Sequence, residues 1–143
     1  MTPTCTLSVG VTVLMVLFIA LGSAAGGVAR FLLGTFIQGR FGAGFPVGTL
    51  VVNISGAFLL GFLLTCALAS PAVSPEMRGL LTTGFCGGYT TFSTFSYETV
   101  MLLEDGEVAR AAAYVALSVL IALIGVWLGI VLGRGLIALR QPG

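Results

Sequence analysis

Hydrophobic residues run along the chain in long, almost unbroken stretches, which short segments rich in glycine, proline or acidic residues separate. Three stretches, from Val9 to about Gly34, from Pro46 to about Ala69 and from Val108 to about Leu139, exceed the roughly 20 residues that a membrane-spanning α-helix needs. The separating segments GRFGAG, SPAVSP and EDGE have the composition of loops. This pattern predicts three membrane-spanning helices joined by short turns.

A fourth stretch, residues 76–103, is long enough to span but contains the polar sequence GFCGGYTTFSTFSYE. Without a crossing there, a connection from residue 70 to residue 107 would be improbably long for a compact domain. The GGYTT sequence has poor helix propensity, and irregular backbone survives at membrane depth only where protein or water covers it. We therefore predict four transmembrane helices, the third broken near its middle, with carbonyls freed to bind ions. The alternative is a glycine kink that only eases packing.

Composition agrees with a membrane protein, because 57% of the residues are hydrophobic and the mean hydropathy is +1.13. Charged residues make up 8% of the chain, against about 25% in soluble domains. A net charge of +1 gives no electrostatic case for nucleic acid. The cysteines are widely spaced and lack a CxxC pair, so neither a disulfide framework nor a zinc site is expected. The N-terminus lacks a basic signal-peptide region, so we expect the first span to be retained.

The arginines give no preferred orientation in the membrane. With four spans, one side of the membrane collects Arg78, Arg134 and Arg140, and the other collects Arg30, Arg40 and Arg110. An equal distribution of basic residues does not fix the topology. Such a chain could insert both ways and pair as an antiparallel dimer. Alternatively a small bias, for instance because Arg30 lies too deep to count, would fix one topology.

Small residues recur at four-residue spacing in the first and last spans, which lets helix backbones approach closely in lipid, within or between subunits. They are Gly22 and Gly26, and Gly125, Gly129 and Gly133. Four helices enclose little volume, so we expect an oligomer to form a permeation path.

Arg30 and Glu98 are charged residues of the predicted spans that could have a functional role. Arg30 precedes Gly39 by nine residues, which places it about 13 Å inside the end of the first helix at 1.5 Å per residue. An intramembrane cation is a functional candidate and suits an anion vestibule. Alternatively Arg30 reaches the interface or hydrogen-bonds loop carbonyls. Glu98 could pair with Arg30 or cap the edge of the third span.

The sequence does not favour an enzyme, because it has no histidine, no carboxylate pair at depth and no nucleophile with a recognisable base. The spans offer neutral donors and aromatic rings instead. Thr49 and Asn53, and likewise Tyr114 and Ser118, lie four residues apart and so share a helix face. Phenylalanine ring edges carry partial positive charge and can contact an anion. These features favour a small anion as cargo, although single phenylalanines often fill cores and Ser or Thr often bond their own helix.

Four segments together resemble the Fluc fluoride channels, also called CrcB proteins. They are GTLVVNISGAFLLG (Gly48–Gly61), GFCGGYTTFSTFSYE (Gly84–Glu98), GGVARFLLG (Gly26–Gly34) and AAAYVALSVL (Ala111–Leu120). The resemblance implies an all-α four-helix subunit in an antiparallel dual-topology homodimer, with two fluoride pores and a central sodium ion. It also implies passive fluoride export across the lipid bilayer of the bacterial inner membrane. A coupled transporter and a structural membrane subunit remain alternatives.

The resemblance also implies roles for single residues. Phe92 and Phe95 match the rings that line the fluoride path, and Asn53 matches an asparagine that donates to the ion. Other matched path positions are Ser93, Thr94, Tyr114, Ser118 and, near the entry, Arg30. The backbone carbonyls of Gly87 and Thr90 match the sodium ligands. The chain has Ala122 one turn beyond Ser118, where another hydroxyl is expected, and residues 1–8 have no predicted role.

Overall fold

The computed structural model describes the backbone of residues 4–140 and the side chains of residues 12–139. Of the predicted N-terminal extension, residues 1–3 lie outside the described backbone, and residues 4–8 are the first residues of α1, which begins before the predicted start of the first span at Val9. All secondary structure in the described range is helical: α1 (Thr4–Phe41), α2 (Val47–Ala69), α3 (Pro75–Gly79), a π-helix (Leu80–Cys86), α4 (Gly87–Tyr89), α5 (Phe92–Glu104) and α6 (Val108–Arg140). The all-helical prediction is confirmed.

Three helices are long and apolar enough to cross a bilayer, over Thr12–Phe41, Val47–Ala69 and Val108–Leu139. They correspond to the three long predicted spans. Helix α1 continues past Gly34 to Phe41, so the prediction of a loop from Gly39 was wrong for its first three residues. The apolar sequence after Gly34 keeps the helix going, and the chain turns at Gly42, whose φ of 76° favours glycine.

Glycine positions bring the long helices close to their neighbours. On α6, a Cβ at Gly129 would overlap the Phe58 carbonyl oxygen of α2. On α1, a Cβ at Gly22 or Gly26 would overlap a carbonyl oxygen of the π-helix. The predicted packing by small residues is thus confirmed within the subunit, where it holds α2 to α6 and α1 to the π-helix.

The segment from Pro75 to Glu104 is helical except at Thr90 and Thr91, which have extended backbone angles. The Ser74 side chain accepts a hydrogen bond from the Met77 N–H and begins α3, with Pro75 as its first residue. The Thr91 hydroxyl accepts from the Thr94 N–H and begins α5 in the same way. The helical conformation therefore stops and restarts within this segment.

The adjacent glycines do not themselves leave the helical conformation. Gly87 and Gly88 lie in α4, and the extended residues follow two positions later. A Cβ on Gly88 would lie 2.5 Å from the Ser23 carbonyl oxygen, so this glycine allows α4 to approach α1. The low helix propensity of glycine is outweighed here by close packing against a neighbouring helix.

Candidate functional site

We call the segment from Pro75 to Glu104 the interrupted segment, and its extended residues Thr90 and Thr91 the interruption. A cavity of about 730 Å³ lies between α2, α6 and the interrupted segment; we call it the larger cavity. Six of the predicted site residues line it: Asn53, Gly87, Thr90, Phe92, Phe95 and Ser118. Two others, Arg30 and Thr94, line a second cavity of about 400 Å³ between α1, α2 and the start of α5. The fold thus brings most of the predicted path residues to two neighbouring cavities.

Asn53 fastens α2 to the interruption. Its Nδ2 donates to the Thr91 carbonyl at 3.0 Å, and its Oδ1 accepts from the Thr91 N–H at 2.7 Å. In a continuous α-helix the Thr91 N–H would bond the carbonyl of Gly87, four residues earlier. Asn53 takes that donor instead and frees the Gly87 carbonyl from it. An asparagine amide has two N–H donors, so one remains for another partner.

Phe92 and Phe95 form a tilted ring pair with centroids 5.5 Å apart. Phe92 is 79% exposed in the subunit, so it does not fill the subunit core. Phe95 is half-buried, and its centroid lies 5.2 Å from that of Tyr114. One ring is therefore open to whatever occupies the larger cavity, while the other is supported from behind by a buried tyrosine.

Tyr114 and Glu98 form a hydrogen-bonded cluster that the sequence did not indicate. The fully buried Tyr114 donates its hydroxyl proton to Glu98 Oε2 at 2.6 Å, and Thr49 donates to Glu98 Oε1 at 2.8 Å. Both carboxylate oxygens are therefore bonded to hydroxyls. The pair between Glu98 and Arg30 considered from the sequence is not formed in the described part of the chain. A tyrosine and a threonine on the facing helices are the signal that could have found this cluster.

Arg30 points at the interruption. Its Nη1 donates to the Thr90 carbonyl oxygen at 3.3 Å, which is the carbonyl bonding considered from the sequence. Arg30 and Glu98 have opposite charges and both line the second cavity, but they form no direct ion pair. The guanidinium therefore places positive charge beside the non-helical backbone.

The predicted hydroxyl residues differ in what they bond. The Thr91 hydroxyl lies 3.3 Å from Ser93 Oγ and donates to Thr94 Oγ1 at 2.9 Å, so these three form a local cluster at the start of α5. Ser118 is different, since it is 8% exposed and its Oγ has no partner among the described residues. Buried hydroxyls normally have a partner, so Ser118 is a candidate donor to a ligand of the larger cavity.

The residues at the interruption suit a hard cation by their chemistry. Within the described range there is no cluster of His, Cys, Asp or Glu for a metal. The available donors are oxygens: the Gly87 carbonyl, which lacks its helical donor, and the Thr90 carbonyl, which also accepts from Arg30. Oxygen donors fit sodium in kind. One subunit offers two such carbonyls, fewer than a hard cation usually takes.

The fold and the site define a multi-pass helical membrane protein with polar groups and phenylalanines along two cavities. The chain belongs to the CrcB family, since the family model described as "CrcB-like protein, Camphor Resistance (CrcB)" matches residues 17–130. The similarity to CrcB proteins predicted from its motifs is thus confirmed.

Curated relatives carry the name "Fluoride-specific ion channel FluC". The one from Geotalea uraniireducens is 50% identical over 121 residues, which cover 85% of this chain and 98% of the relative. The one from Geobacter metallireducens is 50% identical over 86% of this chain and 99% of the relative. The one from Acidobacterium capsulatum is 43% identical over 85% and 98%. Because these relatives are named as ion channels, the prediction that the chain is not an enzyme is confirmed.

Proposed function

We propose that the chain is a fluoride channel. The observation that carries this proposal is the buried, unpartnered Ser118 hydroxyl, which lines the same cavity as the Phe92 and Phe95 rings and Asn53. A cavity with neutral donors and ring edges suits an anion that must bind and leave. The names of the relatives support fluoride as that anion.

In this proposal some side chains hold the interrupted backbone in place and others contact the anion. Asn53 uses one N–H and its carbonyl oxygen to hold Thr91, and offers its remaining N–H to the anion. The exposed Phe92 ring and the Phe95 ring, which packs on Tyr114, would present their edges to the anion. Arg30 lowers the cost of bringing a strongly hydrated anion into a low-dielectric path. Tyr114 donates its hydroxyl proton to Glu98, and Ser93 lies 3.3 Å from the Thr91 hydroxyl, so a direct role requires these two to exchange partners. The Thr94 hydroxyl only accepts from the Thr91 hydroxyl and keeps its own proton for the anion.

The working assembly in this proposal is an antiparallel dual-topology homodimer with two pores. The even arginine distribution is compatible with it, and the exposed Phe92 ring, which a second subunit would cover, supports it. Pro75 to Glu104 would cross the bilayer as a broken helix. The Gly87 and Thr90 carbonyls of two subunits would then hold a central sodium ion, which supplies a fixed positive charge when bound.

Export in this proposal is passive and across the bacterial inner membrane. Fluoride leaves the cytoplasm as the ion and re-enters as the neutral weak acid HF, so a channel suffices when the outside is more acidic. The bacterial sources of the relatives support this location. Neither a pump nor a coupling ion is needed.

The test is fluoride efflux from liposomes containing the purified protein, with valinomycin to dissipate the potential and a parallel chloride trial. Rapid fluoride loss with chloride retained is expected. No fluoride loss from folded protein would favour a structural membrane subunit. Fluoride movement that stops without an imposed proton or sodium gradient would favour a coupled transporter.

A further inference from the structure

Two adjacent threonines in the π-helix have different hydrogen bonding. Thr82 is 7% exposed, and its hydroxyl donates to the Arg78 carbonyl at 2.8 Å. Thr83 is exposed, and its hydroxyl has no partner among the described residues. Both border the larger cavity. The Thr82 hydroxyl is therefore hydrogen-bonded within its own helix, whereas the Thr83 hydroxyl is available to a ligand in the cavity.

The difference is unusual because Thr in a helix commonly donates to the carbonyl four residues earlier. Thr90 and Thr99 do this with Cys86 and Phe95. The π-helix has i to i+5 hydrogen bonds, such as the one from the Gly87 N–H to the Thr82 carbonyl. This wider turn changes where successive side chains point. π-helical turns often occur at functional sites.

Because Thr83 is exposed and lines the larger cavity, its hydroxyl is accessible to a ligand there. Ser118 of α6 is a second hydroxyl without a partner on the same cavity. Ala122, one turn further along α6, lines the cavity without a hydroxyl. The π-helix thus contributes the Thr83 hydroxyl to a cavity where α6 contributes only the Ser118 hydroxyl.

We propose that Thr83 is a fluoride-binding residue that donates its hydroxyl to the anion in the larger cavity. It extends the set of donors beyond Ser118 and substitutes for the hydroxyl that Ala122 lacks. This inference rests on the proposed fluoride function and adds a residue from the π-helix to the path. Thr82 has no such role, because its hydroxyl is engaged with Arg78.

The matched variants are Thr83→Val and Thr82→Val, which make the same isosteric change at neighbouring positions. Fluoride efflux from liposomes is measured over a range of fluoride concentrations. Hydrogen bonds to charged groups are worth more than neutral ones, so Thr83→Val should raise the half-saturating fluoride concentration roughly tenfold. Thr82→Val should leave that concentration near the wild-type value, whatever it does to stability. Thr83→Ser, which keeps the hydroxyl, should restore it.

The outcomes separate this inference from the function it rests on. If wild-type protein carries fluoride and Thr83→Val has an unchanged half-saturating concentration, the binding role of Thr83 is refuted while the channel stands. The role is also refuted if Thr83→Ser is impaired as much as Thr83→Val, because the hydroxyl would then not be responsible. If folded wild-type protein carries no fluoride, it is the proposed function that fails. Size-exclusion chromatography of each variant shows whether assembly is retained.

Discussion

The α2–α6 pair and the interrupted segment from Pro75 to Glu104 differ in how their backbone N–H and C=O groups are hydrogen-bonded. In α2 and α6 the backbone bonds itself, and glycines such as Gly129 let the two helices approach. In the interrupted segment, Asn53 and Arg30 from other helices bond the backbone at Thr90 and Thr91.

The comparison teaches why the candidate site lies where it does. A continuous helix needs no partner for its backbone and can face lipid. An interrupted one must take side-chain partners from its neighbours, which fixes those polar side chains around it. Carbonyls and donors are then brought together next to the larger cavity. Changes at the interruption should therefore alter conduction first, and changes at the continuous pair should alter stability first.

The largest effect on conduction is expected from Asn53→Asp. One carboxylate oxygen can still accept from the Thr91 N–H, but the other then faces the Thr91 carbonyl oxygen that Nδ2 now bonds. The new charge also repels an anion in the cavity. We expect fluoride efflux in liposomes to fall by about a hundredfold or more, since the bond to the Thr91 carbonyl and the donor to the anion are both lost. Wild-type efflux from this variant would show that Asn53 is not needed for conduction.

The next largest effect should be on stability, from Gly129→Ala. The added Cβ would overlap the Phe58 carbonyl, and overpacking of this kind costs about 1–3 kcal/mol. Gly135→Ala is the matched control on the same helix, because its Cβ would meet nothing within 4 Å. Thermal unfolding in detergent should show a lower midpoint for Gly129→Ala alone. Equal midpoints for the two variants would contradict close packing of α2 on α6.

The sequence predicted much of this comparison, because its signals are local. Runs of apolar residues predicted the three long spans, and GGYTT indicated where helical structure would fail. It did not predict that the failure falls at Thr90 and Thr91, because the packing of Gly88 against α1 keeps the glycines helical.

Contacts between distant positions were also missed. Glu98 receives donors from Thr49 and Tyr114, which are 49 and 16 residues away, and no local pattern encodes that choice. The Gln38 amide bonds the Gly42 and Phe45 carbonyls and the Gly48 N–H, which explains how a loop can be short after α1 extends to Phe41. Sequence spacing places residues on a helix face, but the facing helix decides their partners.

A smaller effect on conduction is expected from Arg30→Gln, which removes the charge beside the interruption. Loss of a nearby positive charge should slow fluoride efflux about tenfold, equivalent to about 1.4 kcal/mol. Arg30→Lys keeps the charge while changing the geometry, so it should retain most of the flux. If Lys is as impaired as Gln, the bond to the Thr90 carbonyl matters more than the charge. Unchanged efflux in Arg30→Gln would exclude an electrostatic role.

The smallest effect is expected from Tyr89→Phe, just before the interruption. The Tyr89 hydroxyl lies 2.9 Å from Ser55 Oγ on α2, two residues beyond Asn53, so it adds a second attachment between the same two elements. Its loss should destabilise the protein by about 1 kcal/mol, the worth of one neutral hydrogen bond. Tyr97→Phe is the control, because Tyr97 is 66% exposed and its hydroxyl has no partner among the described residues.

Chemical unfolding in detergent measures this difference, and fluoride efflux measures its consequence for the site. Because the Asn53 pair with Thr91 remains in Tyr89→Phe, efflux should stay within about twofold of wild type, a change worth under 1 kcal/mol. A large loss of efflux with unchanged stability would mean that the attachment at Ser55, and not the one at Asn53, positions the interrupted backbone. The Tyr89–Ser55 bond would then be the one that matters for conduction. The interrupted segment would still differ from the α2–α6 pair in depending on side chains of a neighbouring helix.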